Sequence, residues 1–192
     1  DIEDYITGSP STNMAANMVS TMMAGTEPFQ WTNTHAVIKG ADMTVQGQFS
    51  ENLSVRAVAT IQHGNRDDID DALFRIAPEQ LTTTVRWNTQ VFEAPLQMQF
   101  TSELAGAQNH ISALQNEAPT AGYGLFHISG LITLFENAQS NLQVTATIHN
   151  LFNKQYAPHT AGINRVMNAD VEVGERVPAA GREWHFGLSY QF

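Results

Sequence analysis

Large apolar residues alternate with polar or small ones over the last ten positions of the chain. Trp184, Phe186, Leu188, Tyr190 and Phe192 occupy every second position, and Glu, His, Gly, Ser and Gln lie between them. This period of two predicts a β-strand with two chemically different faces. The last strand of a soluble sheet rarely carries so many aromatic residues, whereas a strand between lipid and water needs them. The pattern therefore predicts the closing strand of an outer-membrane β-barrel.

The same alternation recurs in seven further segments, which predicts an all-β, antiparallel sheet of about eight strands. Those segments are Ile2–Ile6, Thr34–Phe49, Leu53–Gln62, Leu81–Asn88, Leu96–Leu104, Tyr123–Leu134 and Leu142–Asn150. Connections after the even strands are short, and those after the odd strands are long, up to Thr7–Asn33 and Gln155–Arg182. Bacterial outer-membrane barrels have this arrangement, with the long loops outside the cell.

Composition narrows the function classes without deciding the fold. The chain has 192 residues, no cysteine, a net charge of −10 and only two lysines, Lys39 and Lys154. A disulfide scaffold and zinc–thiolate sites are thereby excluded, and we expect no nucleic-acid partner. No apolar run reaches the roughly 18 residues of a membrane helix. Hydropathy alone would predict a soluble protein, but barrel strands hide their lipid face in alternation.

Two other architectures fit the alternation. A soluble β-sandwich or lipocalin-like barrel would direct its apolar face into a core. The polar series of Gln, Thr, Ser, Asn and Arg suits a wet lumen better, and the loops are long for a compact sandwich. A self-contained eight-stranded barrel with a structural or adhesive role is the other alternative, and it predicts that the first and last strands pair. The chain opens on Asp1-Ile-Glu-Asp-Tyr-Ile, already strand-like, so we expect a mature product or the carboxy-terminal piece of a longer protein.

Three blocks of sequence resemble TonB-dependent outer-membrane receptors. The first is Asn150-Leu-Phe-Asn-Lys-x-Tyr156, followed by a long loop, Pro178-x-x-Gly-Arg182 and a strand that ends in Phe. Trp31–Asp42 is similar to a recurring strand of the family, and Asp4-Tyr5-Ile6 fits the same order. The region from Tyr156-Ala-Pro-His159 through Asn164-Arg165 to Arg182 looks most like the copper-receptor branch. The resemblance covers essentially the whole chain.

The resemblance implies a fold, a location and partners. The family fold is a 22-stranded barrel plugged by an amino-terminal domain, so residues 1–192 would form the carboxy-terminal portion of the barrel, without the plug or the TonB-engaging segment. The parent receptor would lie in the bacterial outer membrane, contact its lipid and the TonB complex, and import a metal ion or metal complex, either copper or a ferric siderophore. Physically these motif residues serve barrel architecture. The amides of Asn150-Leu-Phe-Asn can tie down backbone where the strand enters its loop, and Arg182 is suited to pair with loop carboxylates or lumenal groups.

Candidate metal ligands lie in the predicted loops. Met14, Met18 and Met22 follow one another at intervals of four and would share one face of a short helix, with Met23 beside them and His35 just beyond. Thioethers select Cu(I), and imidazole binds copper well. His159 lies in the last long loop, eight residues before Met167. The alternative is packing for the methionines, which fill irregular gaps, and solvation or hydrogen bonding for the histidines.

The remaining polar residues predict no further binding or catalytic site. Asp67, Asp68, Asp70 and Asp71 offer carboxylate oxygens of the kind that bind Ca²⁺, but the Gly and distal Glu of an EF-hand loop are missing, which favours a solvated outer loop. No nucleophile–base spacing, phosphate-binding loop or paired-acid motif occurs, so we expect no enzymatic activity and no cofactor.

Overall fold

A computed structural model describes residues 1–24, 28–164, 170–172 and 174–192 as one antiparallel sheet with a single helix. The eight strands pair in chain order, each with the next. The elements are β1 Ile2–Pro10, α1 Met14–Ala24, β2 Phe29–Ser50, β3 Leu53–Arg66, β4 Gln80–Val91, β5 Ala94–Ala105, β6 Tyr123–Glu136, β7 Asn141–His149 and β8 Glu183–Gln191. All eight predicted strands are confirmed, as is the alternation of short turns and long loops.

The two faces of the sheet differ as the alternation predicts. The face that carries the apolar series, here called the apolar face, is open: Phe186 is 76% exposed and Leu188 is 74% exposed. In the described part of the chain, the buried apolar residues are few: Ala36, Ala72, Leu73 and Leu125. A sandwich or lipocalin-like barrel would cover its apolar series, so this packing differs from the soluble alternatives.

The opposite face, the polar face, carries side-chain ladders between neighbouring strands. The Arg86 Nε donates to Gln99 Oε1 at 2.9 Å, and the Gln97 amide donates to Asn88 Oδ1 at 3.2 Å. These pairs follow directly from the register, in which Arg86 lies opposite Gln99 and Asn88 opposite Gln97. Cross-strand polar pairs of this kind stabilise a sheet whose polar face stays wet.

β1 and β8 form the two edges of the sheet. Each pairs with one neighbour, β1 with β2 and β8 with β7, and the strand order of the described residues places no partner on their outer sides. A self-contained eight-stranded barrel would require these two strands to pair. The sheet is instead open between β1 and β8, and such edge strands carry N–H and C=O groups that no neighbouring strand pairs.

Several strands are longer than predicted. β1 continues to Pro10 and β2 begins at Phe29, because the two strands keep pairing beyond the predicted segments, up to Pro10 opposite Phe29. The connection predicted between Asn88 and Leu96 is too long, since β4 and β5 run on to a two-residue turn, Phe92-Glu93. Both turn residues have positive φ, 50° and 65°, as a type I′ hairpin requires, although neither is Gly or Asn.

The single helix, α1, lies in the connection between β1 and β2. Asn13 caps it, because its Oδ1 accepts hydrogen bonds from the backbone N–H groups of Ala15 and Ala16, both at 3.1 Å. No helix in the described part of the chain is both long and apolar enough to cross a membrane.

Candidate metal-handling residues and the outer loops

The methionines of α1 are free of packing partners on most of their surface. Met14, Met18 and Met22 are 81%, 62% and 79% exposed, and their spacing of four places them along one side of the helix. A helix that packed its methionines on neighbouring loops would bury them. The geometry therefore leaves three thioether sulfurs accessible on the helix that joins β1 to β2.

His35 lies on a strand, apart from the connection that carries the methionines. It is an exposed residue of β2, six residues beyond Phe29, and so roughly 20 Å along the strand from the point where β2 begins. Its backbone carbonyl accepts the Asp67 N–H at 2.9 Å. The local structure thus groups the three methionines and places His35 further down the sheet.

His159 is buried where three of the long loops meet. Its Nε2 lies 2.9 Å from Glu117 Oε1, and its Nδ1 lies 2.9 Å from Thr120 Oγ1. A neutral imidazole satisfies both contacts, donating from Nε2 and accepting from the Thr120 hydroxyl at Nδ1. To bind a metal ion, His159 would have to release one of these partners. Met167, in the same loop, and Arg165 lie outside the described residues.

Glu117 is the centre of this junction, here called the loop junction. Its Oε1 accepts from the Arg75 backbone N–H at 3.0 Å and from Arg176 Nη2 at 2.9 Å, in addition to His159. Its Oε2 accepts from the Ser112 N–H at 3.0 Å. Arg75 also donates to the Thr160 carbonyl. Because the side chains of Glu117 and His159 are almost completely buried, this carboxylate connects loops 67–79, 106–122 and 150–182 through polar contacts shielded from water.

The electrostatics of the junction favour a neutral histidine. Burial, followed by the positive charge of Arg176, lowers the pKa of His159 below its ordinary value of 6.5, although Glu117 opposes the change. The imidazole therefore takes part as a hydrogen-bonding group. The charged pair is Glu117 with Arg176, whose side chain is 5% exposed.

The aspartates of loop 67–79 separate toward different partners. Asp68 accepts from Arg66 Nε at 2.9 Å and from the Thr34 hydroxyl at 2.6 Å, and these bonds hold the pKa of its carboxyl well below the usual range. Asp71 accepts from Ser112 Oγ at 2.6 Å and from the Ala113 N–H at 2.8 Å. These carboxylates therefore hold loops in place, and the interpretation of this stretch as a solvated loop understates their role.

The Asn150-Leu-Phe-Asn block fixes the start of the last long loop. Asn150 exchanges two hydrogen bonds with the Lys154 backbone, both at 2.8 Å, and has a φ of 49°. Asn153 Oδ1 accepts the Arg182 N–H at 2.9 Å, and a Cβ at Gly181 would lie 2.7 Å from that oxygen. The predicted tying-down of backbone by these amides is confirmed. Arg182 differs from its prediction, since its guanidinium donates to the Leu151 carbonyl at 3.4 Å rather than to a carboxylate.

Three histidines lie side by side on the polar face, and the sequence analysis did not predict them as ligands. His127, His149 and His185 belong to β6, β7 and β8, with ring centroids 5.3 Å and 5.2 Å apart for successive pairs. A concavity of about 280 Å³ is lined by His127, His149 and Glu103, among other residues. Each histidine falls in the polar series of its strand, so correct strand registers applied to the sequence would have revealed the row. In the described part of the chain, no three His, Asp or Glu side chains converge as a closed metal centre.

Of the comparisons with known proteins, the one with solved structures gives matches. No family model matches the sequence, and no protein in the curated comparison does. Among solved structures, the chain is similar to the copper transporter OprC, with 21% sequence identity and a TM-score of 0.81 over 99% of this chain. The match covers 27% of the OprC chain, so this sequence spans about a quarter of that protein's length. At this identity the likeness establishes the fold: the antiparallel eight-stranded sheet has the architecture of part of the OprC structure.

Proposed function

We propose that residues 1–192 are the carboxy-terminal portion of the β-barrel of a TonB-dependent receptor in the bacterial outer membrane. The observation that carries this proposal is the exposed apolar face of the sheet. Its large side chains stand open along the last strand, where Trp184 and Tyr190 are each 57% exposed and Phe192 is 97% exposed. Contiguous apolar surface of this kind marks an interaction site, and on a two-faced antiparallel sheet the fitting partner is lipid.

The two open edges support a larger barrel. Sheets that span a membrane must satisfy every backbone hydrogen bond, and closure is what removes the edges. The missing partners of β1 and β8 would be further strands of the same receptor. On this proposal the eight strands form about a third of a 22-stranded barrel, and the plug and the TonB-engaging segment belong to the rest of the protein.

The cargo we propose is a metal ion or metal complex, either copper or a ferric siderophore. Copper is favoured by the similarity to the copper transporter OprC and by the exposed methionines of α1, whose thioethers suit Cu(I). The long loops would capture the cargo, the polar face would line its path, and the plug would gate it under control of the TonB complex. Met14, Met18, Met22, His35 and His159 remain the proposed ligands. Binding alone carries this function, with no bond-forming step.

The experiment that tests the receptor proposal follows the full-length protein that carries this sequence. Cells expressing it should show it in the outer-membrane fraction, as a species whose electrophoretic mobility changes on heating, and should accumulate copper in a TonB-dependent manner. A matched strain without TonB is the control. Recovery in the soluble fraction would refute the membrane assignment, and TonB-independent accumulation would refute the transport mechanism.

The cargo proposal has its own test. Replacing Met14, Met18 and Met22 by Leu keeps helix propensity and volume but removes the sulfur ligands. We expect the triple variant to assemble normally and to bind Cu(I) more weakly. Met43→Leu is the matched control, since Met43 is 61% exposed on the apolar face of β2. Unchanged Cu(I) affinity in the triple variant would exclude the methionines of α1 as a capture site.

A further inference from the structure

The row of His127, His149 and His185 is produced by the strand registers. Ile128 lies opposite Ile148, so His127 lies directly across from His149. His185 lies opposite Thr147, two residues from His149 and on the same face. Two residues along a strand are about 7 Å, so the contact from His149 to His185 runs diagonally away from the rim that carries the long loops.

The first pair has the spacing of two ligands on one metal ion. His127 Nδ1 and His149 Nδ1 are 3.3 Å apart. Two nitrogens bound at about 2.0–2.1 Å to a tetrahedral ion lie about 3.3–3.4 Å from each other. The present separation of the two nitrogens therefore suits a metal ion bound by both. The Asn150 N–H also reaches His127 Nδ1, at the long distance of 3.2 Å, and is the contact that metal binding would displace.

Glu103 prepares His127 for this role. His127 Nε2 is buried without a hydrogen-bond partner, and the nearest carboxylate oxygen, Glu103 Oε1, lies 3.6 Å away. The negative charge of Glu103 favours the tautomer of His127 with its proton on Nε2, and this tautomer leaves the Nδ1 lone pair for a ligand, as is usual for metal-binding histidines. Glu103 also lies opposite Leu125, two residues nearer the loop rim than Thr101, the residue opposite His127.

Access distinguishes this row from the buried His159. His149 and His185 are both exposed, and the concavity beside them is open to solvent. The described side chains offer neighbouring pairs of ligands instead of a closed set of three. Pairs bind a metal ion less tightly and release it more readily than a complete tetrahedral site, which is the property a transport path needs.

We propose that His127, His149 and His185 form a transit site for the cargo metal ion. The His127–His149 pair holds the ion first and the His149–His185 pair holds it next, and Glu103 lies nearer the loop rim than either pair. This inference rests on the proposed receptor function, because it takes the polar face as the wall of the transport path. The ligand class is a borderline transition-metal ion that imidazole binds well, such as copper or zinc.

The test uses Cu²⁺ as the probe and the full-length protein in detergent. Titration followed by electron paramagnetic resonance should reveal a site with coupling to imidazole nitrogens. His149→Gln removes the ring shared by both pairs, and we expect it to weaken that site by about tenfold or more and to remove its nitrogen coupling. The matched control is His63→Gln, because His63 contacts only His110 among the histidine rings of the described residues, with centroids 5.9 Å apart.

Further outcomes separate the two proposals. If His149→Gln fails to assemble, His185→Gln on the edge strand replaces it, and we expect that variant to lose the coupling pattern of the His149–His185 pair while the His127–His149 pair still binds. Copper accumulation at the wild-type rate and an unchanged spectrum in an assembled variant would overturn the transit site and leave the receptor proposal standing. Absence of both TonB-dependent copper accumulation and Cu²⁺ binding in the wild type would overturn the transit site and copper as the cargo, and recovery of the protein in the soluble fraction would overturn the receptor proposal as well.

Discussion

Replacing Glu117 by Gln tests whether one buried carboxylate holds three long loops together. The carboxylate accepts from two backbone N–H groups, those of Arg75 and Ser112, and from the side chains of His159 and Arg176. Gln keeps the size and one acceptor but removes the charge. Its amide nitrogen is a donor, and it would face other donors at one of the two oxygen positions.

The expected loss is large because the pair is buried. Arg176 would keep its charge with its side chain only 5% exposed and without a counter-ion. Removing one member of a buried ion pair typically costs about 3–5 kcal/mol. Gln retains part of the hydrogen bonding, so we take about 3 kcal/mol, which corresponds to an increase on the order of a hundredfold in the population of opened loops. The barrel strands should be unaffected, since the junction lies entirely in the loops.

Hydrogen exchange followed by mass spectrometry, on the full-length protein in detergent, measures this directly. Peptides from loops 67–79, 106–122 and 150–182 should exchange faster together, while peptides from β4 and β5 stay protected. The control is Glu172→Gln, an exposed carboxylate in the last of these loops. Faster exchange in loop 106–122 alone would contradict the three-loop junction, and wild-type exchange in all three loops would refute the role of Glu117.

Three further predictions concern other parts of the molecule. Phe92→Asn with Glu93→Gly should raise the free energy of unfolding by about 1–2 kcal/mol in a denaturant titration, because both positions have positive φ; an unchanged midpoint would contradict this. Leu188→Lys should lower the free energy of unfolding in lipid by about 2–4 kcal/mol, whereas Ser189→Lys on the other face should not. Equal effects of the two substitutions would contradict the assignment of the two faces. Unfolded loops bind a proton that buried His159 excludes, so protection of loop 150–182 should fall as pH drops below about 6.5, and His159→Gln should abolish that dependence.

Strand positions could be predicted because alternation is a local signal. Each strand has one apolar and one polar face, so the period of two is recognisable even in β3, where Val58 interrupts it. Boundaries were less predictable, since pairing with a neighbour extends a strand beyond its patterned part. The hairpin at Phe92-Glu93 shows the limit, because its residues carry no turn signature and are held at positive φ by the strands on either side.

The loops were harder to predict, because their contacts join residues that are distant in sequence. His159 and Glu117 are separated by more than forty residues, and no local pattern places one beside the other. Asn150 was accessible to prediction for the opposite reason, since its side chain binds the backbone only four residues away. The methionines of α1 lie between these cases: their spacing predicts a shared helical face, but only the structure shows that this face is exposed.

The histidine row follows from a rule that links local and distant information. Alternation assigns His127, His149 and His185 to the polar face, and antiparallel pairing in chain order makes their strands neighbours. Only the register is then missing, and a shift of one residue in β7 would turn His149 to the apolar face. The short turn between β6 and β7 pairs Glu136 with Asn141, and a register shift between Thr133 and Phe135 then brings Ile128 opposite Ile148. A turn and a strand irregularity near one rim of the sheet thus set which imidazoles face each other near the other rim, which is why these residues lie as a pair although nothing near them in sequence indicates it.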